Sequence, residues 1–185
     1  VHGPASSGWL LVALCAVTGA YCLLRMRSSV EEQRRAAGGE ALMAFGMAVM
    51  AVPAAAFTPP VWAWAVYAAV FGTAGLHALW AARAGAHHLH HLVGAGAMVY
   101  MALAMAGSSG HGHDVSGLPP LTGALLLYFA GYVLAAGVRL VPVTAAAGVA
   151  GSGPGTHLGW GDRPELVRAC RLSMGIAMVA MLLTL

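Results

Sequence analysis

Lysine is absent: all nine cationic side chains are arginines. Charge of either sign is scarce, at 8% of residues against roughly 25% in an ordinary soluble domain. Hydrophobic residues make up 59% of the 185-residue chain. A fold of this size in water needs a polar surface over its core, and these side chains do not supply one. Lipid is the solvent the composition fits. Arginine without lysine, beside rich alanine and glycine, reads as a bacterial protein.

Cysteine is also scarce. Cys15, Cys22 and Cys170 form no CxxC pair, which excludes a disulfide framework. Cys15 and Cys22 share one helix face and read as buried, inert thiols. The glycine-rich stretch 151–155 lacks a following GK[ST], so it reads as a linker rather than a phosphate cradle. There is no Ser/His/Asp order of note, no acid pair on one helix, and no basic patch interleaved with aromatics. These absences argue against hydrolytic catalysis and against nucleic-acid binding. No charged stretch precedes the apolar run Trp9–Leu24, while Arg25 and Arg27 follow it. That order predicts a retained helix with its N-terminus outside.

What is present is six apolar segments, at about Gly8–Met26, Glu40–Phe57, Val61–Ala82, His88–Ala106, Leu118–Leu140 and Glu165–Leu185. Each is long enough, or nearly so, to cross about 30 Å of hydrocarbon at 1.5 Å per residue. Pro53 is placed to kink or end the second. Arginine marks the first, third and fifth connections and is missing from the second and fourth. The positive-inside rule then puts both termini outside and those three loops in the bacterial cytoplasm. The expected fold is an all-α integral membrane bundle of about six transmembrane helices, forming a single domain over residues 1–185.

Nine of the ten methionines fall in the second, fourth and sixth segments. Glu40, Met43, Met47 and Met50 follow one another at steps of three or four. So do His87, His91, Gly94, Met98, Met101 and Met105, and so do Arg171, Met174, Met178 and Met181. Such steps put each set on one helix face. The sets align in layers: Glu40 with His91 and Arg171, Met43 with Gly94 and Met174, Met47 with Met98 and Met178, and Met50 with Met101 and Met181. The chain therefore reads as three parallel helical-hairpin repeats, each with a methionine seam on its second helix. Two readings of the seams stand open. Methionine is an adaptable packing residue. Thioether is also a soft, neutral ligand that favours Cu(I) over Mg, Ca or Zn and brings no charge into the bilayer.

Nine histidines accompany the methionines. His87 and His91 share the methionine face, whereas His88 and His90 point elsewhere. His77 on the third segment and Glu40 on the second come to a similar depth. Together they read either as an inner metal site or proton-coupled gate, or as an interfacial polar cap. In the fourth connection, His111, His113 and Asp114 have the makings of a weak Cu(II) or Zn(II) capture site.

Gly46-Met47-Ala48-Val49-Met50, Ala97-Met98-Val99-Tyr100-Met101 and Cys170-Arg171-Leu172-Ser173-Met174-Gly175-Ile176-Ala177-Met178 resemble an actinobacterial multi-pass membrane family of unknown function. That likeness implies no activity. The pairs Met43/Met47, Met101/Met105 and Met174/Met178 are similar to the Met-x3-Met of high-affinity copper uptake transporters, where three subunits stack such methionines in rings around a pore. That likeness implies copper as ligand, and the copper reading carries a copper chaperone or copper-dependent oxidase as the expected partner. Here Met101/Met105 is offset by one turn from the other two pairs. A b-type haem protein, ligated through His77 with His87 or His91, is the alternative from another class. A metal-free assembly subunit with a methionine-packed core is the third.

Overall fold

The structure is a computed structural model that describes residues 5–27, 31–54, 56–82, 89–108, 117–147 and 164–185. These residues form six helices: α1 (Ala5–Arg25), α2 (Glu31–Met50), α3 (Val61–Ala82), α4 (Leu89–Ser108), α5 (Pro119–Ala147) and α6 (Pro164–Leu182). The fold is all-α, as the segments predict. Spans in α1, α3, α4 and α5 are long and apolar enough to cross a membrane. Charged residues in the N-terminal halves of α2 and α6, Glu40 and Arg171 among them, set those two helices apart.

Two helices differ in extent from their apolar segments. α2 begins nine residues earlier than Glu40 and stops at Met50 rather than Phe57. Its extra turns are polar and are held by Glu31 against Arg34 and Arg35, one turn further on. An acid in the first turn also meets the positive end of the helix dipole. The chain leaves the helix just before Pro53, as proline requires of the residues ahead of it. α5 runs beyond Leu140 to Ala147.

Consecutive helices pack as hairpins, α1 on α2, α3 on α4 and α5 on α6. The hairpins meet chiefly through their second helices and α1: α2 touches α4 and α6, and α1 touches α6. α2 is the most enclosed. Besides its methionines it buries Ala37, Ala41, Ala44 and Ala48, a row of small residues that lets neighbouring backbones approach closely. Gly46 continues this logic, since a Cβ built there would lie 2.6 Å from the Tyr67 hydroxyl and would run into the Phe71 ring. α3 and α5 present Trp62, Leu76, Trp80, Leu127, Leu134 and Val138 outward. An apolar outer surface of this extent fits acyl chains rather than water.

The core between α2, α4 and α6 is built mainly of sulfur and alanine. Met43, Met47, Met50, Met98, Met101, Met174, Met178 and Met181 all belong to one buried cluster, with Phe71 and Phe129 closing its sides.

Candidate functional site

The three seams turn inward together. Met47, Met98 and Met178, which share a register, are 0%, 0% and 1% exposed. Met50, Met101 and Met181, one turn further along, are buried in the same cluster. Met105 is only half-buried and lies outside that cluster. In lipid, burying a thioether gains nothing from the hydrophobic effect, because acyl chains are as apolar as the core. The choice of methionine at eight positions therefore needs a packing or a chemical reason.

Direct contacts fix the two layers nearer the polar end. A Cβ built on Gly94 would lie 2.7 Å from Met43 Cε and 3.0 Å from its Sδ. The glycine of α4 thus makes room for the thioether of α2, in the register the sequence assigns to both. One turn further, Arg171 Nε donates to Glu40 Oε1 at 2.7 Å, joining α6 to α2.

Glu40 is the centre of this polar layer and is 1% exposed. Its second oxygen, Oε2, accepts from Arg25 Nη1 at 2.6 Å, and the Cys22 thiol sits 3.8 Å from the same atom. One carboxylate therefore ties α1, α2 and α6 together through two guanidiniums. Arg25, expected in the first loop, instead ends α1 and is only 3% exposed. Each Glu40 oxygen accepts from one arginine. The signal for Arg25 was present, since a lone acid in an apolar segment demands a cation and Arg25 ends the preceding helix. Cys22, expected as a buried thiol, is fully buried and lies against this polar cluster.

A cavity of about 20 Å3 lies between the polar layer and the methionines, lined by Glu40, Met43, His90, His91, Phe129, Arg171, Met174, Gly175 and Met178. That is room for about one water molecule. His91 lines it as its register predicts. His90 lines it too, although the helical wheel points it away from the seam. Its ring stacks on Tyr132 at 4.0 Å and 15°, and Nδ1 pairs with the Tyr128 hydroxyl at 3.2 Å. Side chains from α5 complete the cavity wall on that side, which a single-helix register does not foresee. Higher on the same helix pair, the Tyr100 and Thr122 hydroxyls pair at 2.6 Å.

His77 does not join the cavity. It is exposed on α3, in a separate groove with Thr73, Leu76, Leu79 and Trp80. His77 and His91 thus line different cavities. His87, His88, His111, His113 and Asp114 lie outside the described residues. Among the described residues, no three His, Cys, Asp or Glu side chains group as a metal site.

The chain matches the family described as Domain of unknown function (DUF5134) over residues 32–185. It belongs to the DUF5134 family. No curated protein and no solved structure matches it. The DUF5134 match takes in α2 to α6 almost entire, and with them Glu40, the cavity histidines, Arg171 and all eight buried methionines. Arg25 and Cys22, which complete the polar layer, belong to α1 and precede the matched stretch.

Proposed function

We propose that this DUF5134 chain is a multi-pass protein of the bacterial cytoplasmic membrane that binds Cu(I) and transfers or stores it along the methionine column of α2, α4 and α6. The observation that supports this reading is the convergence of eight methionines from three helices into one buried cluster. Stacked thioethers offer a soft ion neutral donors at successive depths, without the several kcal/mol that a charged ligand costs inside a bilayer. Leucine would fill the same volume at similar cost, so packing alone does not require sulfur at all eight positions. In this role the protein exchanges Cu(I) with a copper chaperone or a copper-dependent oxidase.

Softness is the property to test. Detergent-purified protein is incubated with Cu(I), Ag(I) or Zn(II), separated from free ion, and analysed for metal. The reading expects Cu(I) and Ag(I) to be retained near stoichiometrically and Zn(II) to be lost. Retention of Zn(II) alone, or of no metal, overturns it.

A further inference from the structure

We infer that the cavity between the polar layer and the methionine column is a distinct Cu(I) seat, ligated by His90, Met43 and Met174, through which ions enter or leave the column. This rests on the copper reading and adds an imidazole donor that the column itself does not contain.

Three observations carry it. The cavity, at about 20 Å3, has room for a bare ion or one water, and its walls bring imidazole and thioether groups together. It is continuous with the column, because Met178 lines the cavity and also belongs to the sulfur layer above it. His90 is held as metal-bound histidines commonly are. One ring nitrogen is engaged by an outer partner, here the Tyr128 hydroxyl on Nδ1, while Tyr132 stacks on the ring and fixes its plane. With the proton on Nδ1, Nε2 is the nitrogen that carries a lone pair. Imidazole is a ligand copper accepts readily.

Glu40 is left out of the ligand set, because Arg25 and Arg171 each already engage one of its oxygens. Two guanidiniums against one carboxylate leave a net positive charge beside the seat. A cation there is held less tightly than one among the sulfur layers above, which suits a place of exchange rather than of storage.

X-ray absorption at the copper edge tests this with the whole chain saturated with Cu(I). Imidazole scattering should accompany sulfur scattering in the native protein. It should disappear in His90→Phe, which keeps an aromatic ring on Tyr132, while the sulfur shell persists. Imidazole scattering that is absent from the native protein, or unchanged in His90→Phe, overturns the seat while leaving sulfur-bound copper in place. Protein that takes up no copper overturns both readings. If His90→Phe fails to fold, Gly94→Ala approaches the seat from the sulfur side. Its new Cβ displaces the flexible end of Met43, and copper per chain should fall by about one ion. Undiminished copper in Gly94→Ala overturns the seat.

Discussion

Arg25 Nη1 lies 2.6 Å from Glu40 Oε2, and both side chains are almost wholly buried. The pair joins the last residue of α1 to the middle of α2, and Arg171 adds α6 through the other carboxylate oxygen. The polar layer is thus a clamp between the first and third hairpins. Glu40 and Arg171 line one cavity with Met43, Met174 and Met178.

Glu40→Gln should be strongly destabilising, by about 3–5 kcal/mol, because it leaves the Arg25 charge buried without a counter-ion. Arg171→Gln should cost much less, about 1 kcal/mol or below, since Arg171 is 43% exposed and Glu40 keeps Arg25 as partner. Thermal unfolding in detergent micelles measures both. Equal losses would mean that the clamp does not work through the Arg25–Glu40 pair.

Tyr67 gives a prediction of the opposite sign. Its hydroxyl is buried and has no hydrogen-bond partner among the described residues. Removing an unsatisfied polar group relieves its desolvation penalty, so Tyr67→Phe should raise stability by about 1 kcal/mol while keeping the ring contact with Phe71. A lower melting temperature for Tyr67→Phe would show that the hydroxyl has a partner in the folded protein.

Two glycines should respond differently to alanine. At Gly46 the new Cβ meets the Tyr67 hydroxyl and the rigid Phe71 ring, whereas at Gly72 nothing lies within 4 Å. Overpacking of this kind costs about 1–3 kcal/mol, while alanine in an open helical position gains up to about 1 kcal/mol over glycine. Gly46→Ala should therefore lower the melting temperature and Gly72→Ala hold or raise it. The reverse order would contradict the close α2–α3 approach.

The methionine register was legible because steps of three and four leave only one helical face, and buried faces in a bundle converge. The layer of Met43 with Gly94 was legible for the same reason, and so was the meeting of Glu40 with Arg171. Arg25 was only half legible: a lone acid in an apolar segment calls for a cation, but an arginine ending a helix looks the same whether it marks the cytoplasmic side or pairs inside the bundle. His90 escaped because its place depends on Tyr128 and Tyr132 from α5, and long-range packing leaves no mark on the wheel of α4. The start of α2 escaped because its first turns are held by Glu31 with Arg34 and Arg35 rather than by apolar periodicity.

The central claim, that the buried sulfurs hold Cu(I), meets its most direct test in copper per chain for three proteins: the native form, Met26→Leu, and the triple variant Met47→Leu, Met98→Leu, Met178→Leu. Met26 is exposed and outside the cluster, and leucine for methionine keeps core volume at under about 1.5 kcal/mol per site. The account predicts that the native protein and Met26→Leu carry the same copper, and that the triple variant folds but loses most of it. Undiminished copper in a folded triple variant would contradict it.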